Sequence, residues 1–312
     1  MAVLSAVVRL SVVLGEWLDR PIEADLAVAV AADRLGYPEV WVGEMAKLDA
    51  PVMAAAIAHA TTAIEPCLGP LAVTIRTPAQ IALAAATIAA TTARRTHVAL
   101  GTSSDVVHRW HGRTRAGAAA ALGSTVADLR RLFAGEKVGD FRLRQAPPEP
   151  TITVAAFGPR AVAAAAGADR MVLNMVTAPA AARLAVHHPN TAVWLAAAVD
   201  PTPDERRWLT RGYVGYLAAP GYGEMFADAG YAELVAFARS RPHPRDLAQR
   251  VPDDLLDAVA LVGDEATVAA RVAEYAAAGV TEIGLVVPPL ELPAGPRTLE
   301  ALAPGRSAHW SG

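Results

Sequence analysis

Apolar residues fall into short continuous runs, separated by longer stretches in which they recur every three or four positions. The runs are Val7 to Leu14, Val40 to Val42, Pro66 to Ile75, Thr96 to Leu100, Thr151 to Val154, Arg170 to Met175, Thr191 to Val199 and Glu282 to Val287. Unbroken rather than alternating hydrophobicity marks strands covered on both faces, as in a parallel sheet. Between them, Pro21 starts a helix with Ile22, Leu26 and Val30 on one face, closed by Gly36. Asp49-Ala50-Pro51 opens a second helix to about Thr62, and Thr77-Pro78 a third through Ile81, Ala84 and Ile88, each by a cap followed by proline in the first turn. Further helices are predicted over Gly117 to Phe133, over Ala161 to Ala166 before Gly167, and through Val268, Val272 and Tyr275 to Gly279. Lys137 to Leu143 reads as a small hairpin before the proline-rich spacer Ala146 to Pro150, and the segment around Trp110 shows no clear helical period. Thr202-Pro203-Asp204-Glu205 is a capping box opening a long helical excursion to Asp257.

Eight buried strands, most separated by a helix, predict an α/β fold: a (β/α)8 TIM barrel with a long helical insertion between strands 7 and 8, as a single domain over residues 1–312. An open doubly wound sheet would call for a dinucleotide fingerprint after the first strand, and Leu14-Gly15-Glu16-Trp17 is not one.

Composition removes several function classes. The chain is 53% hydrophobic, with a formal net charge of −3, which gives no electrostatic reason to expect nucleic acid or an anionic membrane as partner. Cys67 is alone and cannot form an internal disulfide; a core thiol in a reducing compartment is expected. The N-terminus carries Arg9 inside its apolar run and reads as a first strand, not a signal peptide. With no uninterrupted run of about 18 apolar residues, a cytoplasmic protein is expected. No metal-ligand spacing occurs, and His187-His188 are adjacent.

In a barrel of this kind chemistry gathers where strands end. The fifth strand exits into Phe157-Gly158-Pro159-Arg160. There a glycine allows close approach, a first-turn proline starts a helix, and the helix N-terminus beside an arginine suits a phosphate. An ordinary strand-to-helix turn with a solvated arginine is the plainer reading of the same residues. Ser103-Ser104 lacks a nucleophile elbow and is expected to bond a ligand or cap the next helix. Glu44 suits a general acid or base, an acceptor for a ring N–H, or a helix cap. His108 and His111 flank Trp110. Trp110, Tyr213, Tyr216, Tyr222 and Phe226 either belong to the core or line an apolar pocket for a planar ligand. So few acid-base groups imply that a bound cofactor supplies the reactivity for a small-molecule substrate.

These pieces resemble the bacterial luciferase-like barrel superfamily, and within it the oxidoreductases that use the deazaflavin coenzyme F420. The resemblance is carried by A-x-x-A-D-R-L-G-Y-P-E-V-W-V-G-E at Ala29 to Glu44, G-P-L-A-V-T-I-R-T-P at Gly69 to Pro78, L-G-T-S-S at Leu100 to Ser104 and W-H-G-R at Trp110 to Arg113. Most specific are A-A-F-G-P-R-A-V at Ala155 to Val162 and A-D-R-M-V-L-N-M-V-T at Ala168 to Thr177. The resemblance implies a cofactor phosphate on Phe157, Gly158, Pro159 and Arg160, with Asn174, Met175 and Thr177 nearby. It also implies a deazaflavin ring against Leu71, Ala72 and Val73, where family members often carry a non-prolyl cis peptide. Glu44 would sit near the ring's polar edge, and Gly101, Thr102, Ser103 and Ser104 under its side chain. The histidine that sugar-phosphate and alcohol oxidisers of the family place after the strand-two acid is Met45 here, and their acid after strand four is not evident in Ser104-Asp105-Val106. Reduction of an activated C=C or C=N bond by reduced F420 therefore fits better than alcohol oxidation, with His111 as proton donor. The alternatives are an FMN-dependent monooxygenase of the same barrel and a flavin- or deazaflavin-binding protein without turnover. The family also implies a homodimer.

Overall fold

Strands β1 (Arg9–Leu14), β2 (Glu39–Val42), β3 (Glu65–Ala72), β4 (His97–Gly101), β5 (Ile152–Ala155), β6 (Arg170–Asn174), β7 (Thr191–Val199) and β8 (Glu282–Val286) pair in parallel in that order. β8 returns to β1 through Ser11↔Gly284 and closes the barrel. The computed structural model describes residues 8–15 and 21–306; Val7, the first residue of the expected first strand, lies outside them. Helices wrap the outside, as right-handed parallel crossovers require, so every β7 position is buried.

Local chemistry sets the helix starts. Thr77 and Gln80 form a reciprocal capping box before the helix Pro78–Thr92, and Thr202 and Glu205 another before Pro203–Val214. Asp49 and Asp264 cap Ala50–Ala60 and Glu265–Ala277 by accepting from the backbone amides of Val52 and Thr267, each the third residue of its helix. The hairpin pairs Lys137 with Arg142. The insertion contains the helices Pro203–Val214, Tyr222–Phe226, Ala232–Arg239, Pro244–Arg250 and Asp253–Val259, with a π-helical turn at Ala227–Tyr231. No described helix is long and apolar enough to cross a membrane.

The structure departs from the sequence reading, or adds to it, at four places. The segment around Trp110 does form a helix, Asp105–Trp110, because Ser104 caps it. A helix, Ala178–Ala185, fills the connection between β6 and β7. A short extra strand, Leu261–Gly263, pairs with Ala197–Val199, since β7 outlasts its barrel neighbours. The cis peptide among the described residues is Gly69–Pro70, a prolyl bond preceding Leu71 to Val73, where β3 bulges.

The floor of the barrel is ionic. Arg170, 1% exposed, donates to Glu39 Oε2 at 3.0 Å, to Glu282 Oε2 at 2.7 Å and to Thr153 Oγ1 at 3.0 Å. Its guanidinium lies 4.0 Å above the Trp41 ring, and Trp41 Nε1 donates to Ser11 Oγ at 3.0 Å. Arg9 pairs with Glu282 from the rim. Burial alone would raise the Glu39 carboxyl, but the charge and hydrogen bonds of Arg170 hold it below the ordinary carboxylate range.

Residues that touch across the closed sheet must face its interior. Strand side chains alternate, so the positions two further along also point inward: Val13, Gly43, Ala155, Ala196 and, beyond Val172, Asn174. Upward from the floor the interior therefore changes from charged and aromatic to small.

Candidate functional site

The C-terminal mouth gathers most of the positions singled out in the sequence. After β2, Glu44 accepts from Arg76 Nε at 2.8 Å and from the Ala50 amide at 3.1 Å, and Arg76 also reaches Asp49. This ties the β2 exit to the turn after β3. Hydrogen bonding to Glu44 raises the Arg76 guanidinium above its ordinary range. Leu71, Ala72 and Val73 are buried, and the Val73 amide donates to Gly101 O at 3.2 Å.

Gly101 is small because space is short there: an added Cβ would lie 3.2 Å from Pro70 Cβ and 3.7 Å from Ala155 Cβ. Arg115 donates to Thr102 Oγ1 at 3.0 Å and to Ser103 O at 2.8 Å. Ser104 caps the next helix, one of the two roles anticipated for it. From that helix His108 turns inward and is 1% exposed, whereas Trp110 and His111 are exposed.

At the β5 exit Phe157 is half-buried, and Gly158, Pro159 and Arg160 are exposed. Pro159 begins the helix Pro159–Ala165, and no side chain caps its N-terminus. Gly158 has φ −90° and no heavy atom within 4 Å of a Cβ built on it. Nothing in the fold demands a glycine at that position.

Phe157 stacks on Tyr222 with ring centroids 4.6 Å apart, and Tyr216 meets Tyr222 edge-on at 5.0 Å. Asn174 Nδ2 donates to Tyr222 Oη at 3.2 Å. The other end of that amide, Asn174 Oδ1, is buried without a hydrogen-bond partner among the described residues. Burial pushes the Tyr222 phenol up, so it stays neutral. Tyr213 and Phe226 are wholly buried, and Tyr213 Oη donates to Val259 O at 3.2 Å. They anchor the insertion, while Tyr216 and Tyr222 border the mouth. Met175 is buried, and Thr177 caps the helix after β6 by accepting from Ala180 N.

Among the described residues, three non-glycine residues at strand exits lie in the left-handed region: Ser103 (φ 52°), Met175 (φ 53°) and Asp200 (φ 46°). Such conformations cost about 1–3 kcal/mol each and persist where surroundings over-determine them. Here the Met175 amide is held by Trp194 O at 3.0 Å and the Asp200 amide by Gly263 O at 2.7 Å.

A cleft of about 610 Å³ opens on the same face, lined by Pro21, Glu23, Ala24, Trp208, Pro289, Glu291 and Leu292. A smaller hollow of about 280 Å³, between the helix Pro78–Thr92 and residues 141–145, lies on the barrel flank away from the strand exits. Trp208 escaped the sequence reading. Its signal was an aromatic one turn past a capping box, at the start of the insertion.

A family model described as luciferase-like monooxygenase matches residues 8–282. No curated protein sequence matches the chain. Among solved structures, the coenzyme F420-dependent tetrahydromethanopterin reductase from Methanopyrus kandleri superposes with a TM-score of 0.78 at 16% identity, over 97% of this chain and 99% of that one. An F420-dependent secondary alcohol dehydrogenase in complex with an F420–acetone adduct gives 0.75 at 16%, over 96% and 99%. The oxygenating constituent of 3,6-diketocamphane monooxygenase from Pseudomonas putida, in complex with FMN, gives 0.68 at 16%, over 97% and 98%. At these identities the structures establish a common fold. The family match spans most of the length, and the chain belongs to the luciferase-like monooxygenase family.

Proposed function

We propose that this protein is a coenzyme F420-dependent oxidoreductase that reduces an activated C=C or C=N bond of a small organic molecule. The observation that carries the reading is the upper interior of the barrel. Gly43, Gly101, Ala155 and Ala196 leave it lined by small side chains, and the one amide there keeps a buried, unpartnered acceptor in Asn174 Oδ1. An apolar lining that holds an unsatisfied acceptor suits a planar ring bearing an N–H or O–H.

The residues also suit an acidic tail. Uncapped amides at the start of the helix Pro159–Ala165, the open space over Gly158 and the exposed Arg160 favour an anion there. Leu71 to Val73 would back the ring, Gly101 to Ser104 would lie under its side chain, and Glu44, fixed by Arg76, would accept at its polar edge. Tyr216, Tyr222, Trp208 and Trp110 would border the substrate. When bound, the reduced deazaflavin supplies a hydride. The chain's part is to exclude water, to hold ring and substrate together, and to deliver one proton.

FMN-dependent monooxygenation on the same barrel is the second reading, because the fold is shared with an FMN-bound enzyme. The G-P-R turn at Gly158 to Arg160 with V-L-N-M at Val172 to Met175 favours the deazaflavin. Separate titrations with F420 and FMN, followed by reduced F420 with enone and imine probes, test the choice. Tighter binding of FMN would overturn it, and binding of F420 without turnover of any probe would leave a binding protein.

A further inference from the structure

We propose that Thr74 and His108 form the proton-transfer pair of this site: Thr74 Oγ1 exchanges the proton with substrate, and His108 Nε2 exchanges it with Thr74. The inference rests on the oxidoreductase reading and assigns proton transfer to this pair in place of His111, the donor expected from the sequence.

His108 is 1% exposed, and its Nδ1 lies 2.8 Å from Ser104 O. A carbonyl oxygen only accepts, so Nδ1 carries the hydrogen, and Nε2 of the neutral ring has a free lone pair. Thr74 Oγ1 sits 2.5 Å from that lone pair, and its hydroxyl hydrogen therefore points at the ring. Hydroxyl, imidazole and an orienting acceptor in series are the parts of a nucleophile–base–orienter chain, here with a threonine that only passes protons.

The pair is also aimed. Thr74 follows β3 on a turn in which the amides of Ile75 and Arg76 donate to Ala72 O, and Arg76 clamps that turn to Glu44. The threonine is half-buried while the histidine behind it is sealed. One residue, Ser104, both caps the helix Asp105–Trp110 with its side chain and holds His108 with its carbonyl. Protonation of Nε2 leaves the Nδ1–Ser104 bond in place and only reverses the Thr74–His108 bond, so the relay works without rebuilding the site.

In reduction, the substrate carbon that gains a hydride has a neighbouring atom that gains a proton. That proton leaves Thr74 Oγ1, which recovers one from protonated Nε2; His108 becomes neutral and regains its proton through the half-buried Thr74 hydroxyl once the product has left. In oxidation the same steps run backwards, with neutral His108 receiving the proton. The absence of a histidine after the strand-two acid therefore does not leave the site without a base.

The test uses Thr74→Val, which is close in shape but lacks the hydroxyl, Thr74→Ser, which restores it, and His108→Gln. Two-bond proton–nitrogen spectra of histidine-labelled, cofactor-free protein should show His108 as the Nδ1–H tautomer. Its Nε2 resonance should move in Thr74→Val and return in Thr74→Ser. With reduced F420 and cyclohexenone, or oxidised F420 and isopropanol, kcat should fall by about 100-fold or more in Thr74→Val and His108→Gln. KM and F420 affinity should change little, and Thr74→Ser should recover most of the rate and the solvent isotope effect. An Nε2–H tautomer, unchanged turnover in Thr74→Val, or a comparable loss in His111→Ala instead would overturn the pair alone. A wild type that binds F420 but turns over neither probe would remove the relay together with the oxidoreductase reading.

Discussion

Replacing Arg170 with methionine leaves two buried carboxylates facing each other across the barrel floor. Arg170 donates to Glu39 through both terminal nitrogens and to Glu282 at 2.7 Å, and all three side chains are at most 3% exposed. Arg9 compensates only from the rim, with a side chain 45% exposed. Removing one partner of such a buried pair costs about 3–5 kcal/mol, a large part of the total stability of about 5–15 kcal/mol usual for a domain. The pH dependence should change sign as well. In the wild type the folded Glu39 carboxyl titrates below its ordinary value of 4.5, so its stabilisation is full above that value and is lost as pH falls through the depressed folded pKa. Without Arg170, desolvation raises the carboxyl, the folded state binds the proton more tightly, and stability increases as pH falls. Urea midpoints at pH 8 and pH 5, followed by far-ultraviolet dichroism and by the fluorescence of Trp41 beneath the guanidinium, measure both effects. The deficit of Arg170→Met should be largest at pH 8 and narrow at pH 5. Glu39→Gln with Glu282→Gln in the same background should recover much of it. A deficit below about 1 kcal/mol, or one equal at both pH values, would refute an ion-paired floor.

Three further outcomes are expected. Gly158→Val should keep the wild-type melting temperature, because the added atoms enter open space and φ is ordinary, yet weaken F420 binding at least tenfold by calorimetry; normal binding would displace the phosphate from that turn. Gly101→Val should cost about 1–3 kcal/mol in urea unfolding through overpacking against Pro70 and Ala155, and a neutral result would mean that space at the β4 exit is not short. Asn174→Leu should leave urea stability nearly unchanged, since the hydrogen bond lost at Tyr222 Oη is offset by removal of the unpartnered Oδ1, while reducing cofactor affinity; unaltered affinity would remove Asn174 from the site.

Much of this molecule was legible because its strands are continuous apolar runs and its helices carry their own start signals. Thr191 to Val199 was bounded as observed, and Thr77 and Thr202 announced their helices. The strand exits followed, and with them Glu44, Ser104, Phe157 and Asn174 as places to look. What escaped depends on closure. Glu39, Arg170 and Glu282 each stand first in a strand, where a charge ordinarily meets solvent; only the closed sheet brings them together across more than a hundred residues. Thr74 and His108, 34 positions apart, meet between the turn after β3 and the short helix after β4, which no local pattern joins. The helix Asp105–Trp110 has six residues, too few for a period to show. Leu261–Gly263 is a strand only because β7 extends beyond its barrel partners.

The most direct measurement is a pair of titrations of the purified protein, one with F420 and one with FMN, each repeated with Gly158→Val. F420 should bind more tightly than FMN, and that affinity should fall in the variant while its melting curve stays unchanged. Tighter binding of FMN, or F420 affinity that Gly158→Val leaves intact, would contradict a deazaflavin held by its acidic tail at the exit of the fifth strand.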